Sequence, residues 1–161
     1  MTQHDRPRTL GPETDVTEID FEQHYRKMER LYRGAAINAF YEPLLTVSKG
    51  AASISIEILP KYFHAADAAH GSVYFKALDD AAFFAANSLE PEVFLLTVSF
   101  NVQLMRPVSK GTVTAHGRFT QRSGRLFFAE AKLDDGEGNL IGQGSGTFAR
   151  SKIAFADLES A

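Results

Sequence analysis

Apolar residues recur at helical spacing in two stretches of this chain and alternate with polar ones in several others, so its elements can be placed in order. From Thr17, with Asp20 after it as a possible cap, Phe21, Tyr25, Met28, Leu31 and Tyr32 fall at three- and four-residue steps and predict a helix lying on the domain through an aromatic stripe. Gly34 weakens that helix and Pro43 closes the segment carrying Ile37, Phe40 and Tyr41. Ala52, Ile54, Ile56 and Ile58 then alternate with Ser53, Ser55 and Glu57, which predicts a strand ended by Pro60. After an irregular stretch from Lys61 to Ala69, the alanine-rich run from Gly71 to Ser88 predicts a helix stopped by Pro91. This helix is apolar almost all round, interrupted only by Lys76, Asp79, Asp80 and Asn87, as expected of a helix enclosed by its own domain.

Four strands follow. Leu96, Val98, Phe100, Val102 and Leu104 alternate regularly with Thr97, Ser99, Asn101 and Gln103, which assigns Thr97 to the polar face, away from the core. Val113 to Arg122 and Arg125 to Leu133 are joined by a predicted Ser123-Gly124 turn, and Asp134 to Asn139 leads into a last strand from Leu140 to Arg150. One strand, one enclosed helix and a run of antiparallel strands make an α+β fold with a curved sheet around the helix. Such a sheet leaves an edge strand that a second copy can cover, so a homodimer is expected.

Composition narrows the chemistry. The chain has 161 residues, no cysteine and no tryptophan, with 13 phenylalanines. That length suits one domain with a real core. Without cysteine there are no disulfides, thiol nucleophiles or thiolate metal sites, so catalysis has to use carboxylate, hydroxyl, imidazole or backbone groups. Seventeen basic against 20 acidic residues, a net charge of −3, argue against general nucleic-acid binding. Residues 1–18 carry no apolar signal region, and no window is long and apolar enough for a membrane span, so a cytoplasmic chain with no membrane partner is expected.

The adjacent carboxylates Asp79 and Asp80 are the sharpest chemical feature, because burying an unpaired carboxylate is costly. Neighbouring helical residues point about 100° apart, so the two cannot face one site. Lys76 can neutralise one of them, Asp80 being favoured by its four-residue spacing, which leaves Asp79 without a structural purpose. His70-Gly71-Ser72 opens this helix, where free N–H groups can hold an oxyanion; the plainer alternative makes Ser72 a cap and His70 a turn residue. His64, Asp67 and His70 are only a weak metal pattern, and no metal is expected. Gly142, Gly144 and Gly146 leave one strand face bare, either for packing on the enclosed helix or as the wall of a ligand channel. Arg122 and Arg125 beside the predicted turn, and Arg106 before Pro107, are either solvated charges or phosphate ligands for a nucleotide-bearing partner.

As a set and in order, His70-Gly71-Ser72, Ala77-Leu78-Asp79-Asp80-Ala81, Met105-Arg106-Pro107-Val108 with Gly111, and Gly144-Ser145-Gly146-Thr147-Phe148 resemble the PaaI-like hotdog-fold acyl-CoA thioesterases. The resemblance covers about Leu44 to Ile153. It implies a hotdog fold, dimers or dimers of dimers, and active sites shared across the dimer interface. It also implies Asp79 as general base or nucleophile, the Gly71 N–H as oxyanion donor, Thr97 holding water and His64 supporting the carbonyl. Two positions depart from the family. Ser72 replaces the second glycine of HGG while keeping a backbone N–H, and His64 stands where asparagine is common.

The expectation is therefore an N-terminal helical extension over 1–43, a hotdog domain over 44–155 and a tail over 156–161. The expected reaction is hydrolysis of a medium-chain or aryl acyl-CoA, with coenzyme A entering only as part of the substrate. A non-catalytic acyl-CoA binding module is the main rival, and His70 and Asp79, as the histidine and carboxylate that such chemistry needs, keep a hotdog hydratase or dehydratase open. Phe75, Phe83, Phe84 and Phe94 suit either an apolar or aryl acyl pocket or the core.

Overall fold

The computed structural model describes residues 20–159. Helix α1 (Phe21–Gly34) is capped by Asp20, whose carboxylate accepts from the N–H groups of Glu22 and Gln23 at 3.0 and 3.2 Å. Thr17 lies outside the described residues. The aromatic stripe does what its spacing predicts: Tyr25, Met28 and Tyr32 join the main core, while Phe21 stays exposed. A short helix α2 (Asn38–Tyr41) leads past Pro43 into β1 (Leu44–Ser48), a strand too brief for its alternation to stand out in the sequence.

Strand β2 (Ala51–Glu57) pairs with β1 across a turn in which Gly50 adopts a left-handed φ of 68°. Helix α3 (Gly71–Asn87) follows, then β3 (Val93–Leu104), β4 (Thr112–Ser123), β5 (Leu126–Asp134) and β6 (Leu140–Ala154). The six strands form one antiparallel sheet in the order β1-β2-β4-β5-β6-β3, and α3 touches every one of them. The enclosed helix and its wrapping sheet thus match the sequence pattern. The β4–β5 turn is shifted by one residue, since Ser123 pairs with Leu126 and the turn is Gly124-Arg125, with Gly124 at φ 58°.

A row of small residues lets α3 sink into the sheet. Ala52, Gly117, Ala131 and Gly144 pair directly across four strands. A Cβ on Gly117 would lie 2.0 Å from the Ala81 carbonyl oxygen, so helix and strand backbones touch there. The β6 glycines play a different part. A Cβ would come within 2.6 Å of the Phe100 ring at Gly144 and 2.4 Å at Gly146, so these glycines seat a phenylalanine from the neighbouring strand. All three lie on the inner face, and of them Gly142 meets α3 directly, against Tyr74 and Leu78.

Strand β3 departs most from its pattern. Val98 is an extra residue between the pairs Thr97–Phe148 and Ser99–Thr147, a β-bulge that changes which alternate residues face α3. Before it, Leu95 and Thr97 share the inner face with Arg150 and Phe148 of β6; after it, Phe100 and Val102 do, opposite Gly146 and Gly144. Leu96 and Val98 are turned outward at 49% and 62% exposure, on a strand that forms one edge of the sheet. The assignment of Thr97 to the face away from the core is therefore corrected, because two-residue periodicity cannot register an inserted residue.

Replacing Gly117 with Ala is expected to lower unfolding free energy by at least about 2 kcal/mol, because the clash is with backbone and not with a movable side chain. Chemical denaturation should show Gly136→Ala near neutral, since its Cβ would meet only the Thr112 oxygen at 3.6 Å.

Candidate active site

The two adjacent carboxylates of α3 have opposite surroundings. Asp80 turns toward α1, where it pairs with Lys76 and accepts a 2.5 Å hydrogen bond from the Tyr32 hydroxyl. The four-residue spacing thus selected the right partner. Asp79 turns toward β3 and receives one hydrogen bond, from the Thr97 hydroxyl to Oδ1 at 3.3 Å. Burial raises the Asp79 pKa to about 6, helped by the Asp80 charge and opposed by the Thr97 hydrogen bond and Lys76. A half-buried carboxylate with that pKa and no cation of its own suits proton transfer near neutral pH.

The N-terminus of α3 forms a second group. His70 is its N-cap, and Nδ1 accepts from the Ser72 N–H at 3.1 Å and lies 3.0 Å from the Ser72 hydroxyl. The Ser72 N–H is therefore occupied, which removes it as the spare oxyanion donor that the sequence suggested. Gly71 is the first helical residue, and its N–H has no hydrogen-bond partner among the described residues. It borders a cleft of about 260 Å³ with His64, Tyr74, Leu104, Met105 and Arg106.

In that cleft the Tyr74 hydroxyl donates to the Arg106 carbonyl at 2.8 Å, fixing the end of β3 against the helix. Sequence spacing did not single out Tyr74, because its ring is core and only its hydroxyl reaches the cleft. His64 Nδ1 accepts from the Ala66 N–H at 3.1 Å, while Asp67 takes a left-handed φ of 55°. Among the described residues, no three His, Asp or Glu side chains are placed to hold a metal ion.

Arg122 and Arg125 are not brought to either group within one chain. Arg122 shares a cross-strand row with Phe127, Phe148 and Thr97, three strand spacings or about 14 Å from Thr97. Its Nε donates to the Gly124 carbonyl at 3.0 Å, its guanidinium lies over the Phe127 ring, and Arg125 donates to the Arg150 carbonyl at 3.0 Å. Of the four phenylalanines considered for an acyl pocket, Phe83 and Phe84 are buried in the core and Phe94 is packed against it. Phe75 alone is exposed, one turn before Asp79, with its ring edge-on to Phe100 at 5.7 Å.

Comparison with known proteins bears on the fold that carries these residues. The family model described as the thioesterase superfamily matches residues 67–141. A candidate esterase of Saccharolobus solfataricus is 24% identical over 141 residues, covering 88% of this chain and 89% of its own. The Escherichia coli PaaI protein from the phenylacetic acid degradation operon superposes with a TM-score of 0.75 at 14% identity, over 83% of this chain and 96% of its own. A point variant of the Thermus thermophilus phenylacetic acid degradation protein PaaI gives a TM-score of 0.66 at 21% identity, over 73% and 100% of the two chains. The shared fold is the hotdog fold, so the fold that the resemblance implies is borne out.

The raised Asp79 pKa makes a stability prediction. Below about pH 4 the carboxyl is protonated in both folded and unfolded chains, and as pH rises toward 6 the folded state loses stability because it disfavours the charge. Asp79→Asn removes that penalty. Thermal denaturation should show the variant more stable than the parent by about 1–2 kcal/mol above pH 6, allowing for partial solvent screening, and no more stable at pH 4.

Proposed function

From the premise of a hotdog fold of the thioesterase superfamily, we propose that this protein hydrolyses acyl-CoA thioesters to a free acid and coenzyme A. The observation that carries the proposal is Asp79, a carboxylate raised to about 6 and left unpaired while Asp80 takes Lys76. In the base mechanism, ionised Asp79 removes a proton from water held beside Thr97, and the water oxygen attacks the thioester carbonyl. The carbonyl oxygen, now negative, is met by the Gly71 N–H and the positive end of the α3 dipole. Collapse of the tetrahedral intermediate breaks the C–S bond, and the proton on Asp79 passes to the departing thiolate. The same carboxylate can attack the carbonyl directly, breaking the C–S bond and expelling the coenzyme A thiolate; water then opens the anhydride, releasing the free acid, regenerating Asp79 and supplying the proton that the thiolate takes up.

Gly71 and Asp79 are eight residues apart on one helix, a rise of about 12 Å, so one chain cannot present both to a single carbonyl. The site is completed by a second copy. The β3 edge, with Leu96 and Val98 facing outward, supplies the contact, and an antiparallel edge pairing brings Asp79 of one copy toward Gly71 of the other. Phe75 is then placed to meet the acyl group, which favours a medium-chain or aryl acid. His64 and Arg106 line the approach at the helix start. Arg122 and Arg125 remain proposed ligands for the nucleotide phosphates of a substrate bound across the dimer. A hydratase needs a histidine free to act with a carboxylate, and His70 Nδ1 is engaged as a cap by the Ser72 N–H, which favours hydrolysis.

A thiol reagent with a panel of acyl-CoA esters is expected to show release of free coenzyme A; ester binding without release would identify a binding module instead. Turnover should rise with pH through about 6 and then level. Asp79→Asn should lower kcat by about 10²–10⁴-fold. Gly71→Pro removes one N–H at a helix position that accepts proline, and His70 already holds the extended ψ of 147° that proline requires before it. Mixed dimers of these two variants should recover activity that neither has alone; no recovery would show that Asp79 and Gly71 do not serve one shared site.

A further inference from the structure

Helix α1 lies outside the residues matched by the superfamily, yet it reaches the candidate active site. The Tyr32 hydroxyl donates to Asp80 Oδ2 at 2.5 Å, Lys76 donates to the same carboxylate, and Lys76 Nζ also lies 3.3 Å from the Tyr32 oxygen. The three groups close a ring around Asp80 Oδ2. Burial and the Asp80 charge push the Tyr32 pKa far above its ordinary value, so the hydroxyl stays protonated and acts as a donor. The ring is held on other sides as well: Tyr32 meets Phe84 edge-on at 5.1 Å, its carbonyl accepts from Asn38 at 2.6 Å, and Lys76 lies 4.8 Å above its ring.

We propose that Tyr32, Lys76 and Asp80 are positioning residues that hold the negative charge beside Asp79 against α1, making the N-terminal helix a working part of the active site. This rests on the reading of Asp79 as the reacting carboxylate. Two carboxylates on successive helical residues repel when both are ionised, and the free one is usable at neutral pH only if the other is kept turned away and compensated. Lys76 compensates Asp80, and Tyr32 fixes which way it points. Thr97 from β3 contacts Asp79, the charges of Asp80 and Lys76 on its own helix act on it from the side, and Tyr32 is the α1 group at the far side of the ring.

The ring makes signed predictions that a merely structural contact does not. Asp80→Asn removes the like charge and frees Lys76, so Asp79 should titrate at lower pH than in the parent. Lys76→Gln leaves two uncompensated carboxylates, so Asp79 should titrate higher. Each movement is expected to be about one pH unit, equal to about tenfold in kcat/KM below the acid limb. Tyr32→Phe keeps the ring on Phe84 and removes only the donor; it should move Asp79 in the Lys76→Gln direction by a smaller amount.

Carboxyl carbon NMR of the full-length protein reads the Asp79 titration without requiring turnover, and circular dichroism confirms that each variant is folded. Opposite movements in the Asp80 and Lys76 variants support the proposal. An Asp79 titration unchanged in all three folded variants overturns it. If Asp79 moves as expected while the acid limb of kcat/KM does not follow, the ring stands and the assignment of Asp79 as base falls. The two ideas therefore fail separately.

Discussion

The structure depends on how closely α3 can approach the sheet that surrounds it. At Gly117 the strand backbone touches the carbonyl of Ala81, and the alanines of the helix meet a row of alanine and glycine across four strands. Larger side chains on either side would hold helix and sheet apart and open voids along the whole seam. Because the contact is backbone to backbone, it fixes the height of the helix and with it the directions in which Asp79 and Asp80 emerge. The β6 glycines extend the same economy of space sideways, seating Phe100 beside the exposed ring of Phe75.

With the helix height set, two neighbouring residues of one chemical type acquire different properties. Asp80 enters a network of Lys76 and Tyr32 under α1, and Asp79 faces a single hydroxyl at the rim of β3. The difference comes from the 100° step between successive helical residues and from what each direction contains. The bulge at Val98 supplies the content on the β3 side: it brings Thr97 inward to Asp79 and turns Leu96 and Val98 out along an unpaired edge. One inserted residue thus shapes both the polar site and the surface beside it.

Most of the fold was legible in the sequence. The enclosed helix, the existence and order of the four later strands and the aromatic stripe of α1 follow from hydrophobic spacing, although the bulge in β3 changes which of its residues face the core. Strand β1 escaped because five residues after a proline carry too little alternation, and the β4–β5 turn moved by one because Ser123 still pairs with Leu126 while Gly124 takes the left-handed turn position. In the candidate site, the pairing of Lys76 with Asp80 was legible from a four-residue spacing. The inward turn of Thr97, the use of the Ser72 N–H by His70 and the hydroxyl of Tyr32 were not, since each depends on an irregularity or a contact between distant segments.

The sequence by itself determined which residues can do chemistry and on which elements they ride: a cysteine-free inventory, a carboxylate pair in an apolar helix and a glycine at that helix's first position. These are local properties, set by composition and by the 3.6- and two-residue periods. Only the tertiary structure decided which carboxylate is left free, which N–H remains open and that the N-terminal helix touches the same cluster. Those outcomes turn on burial and on contacts across 48 residues of chain, as between Tyr32 and Asp80, and no periodicity records such a contact.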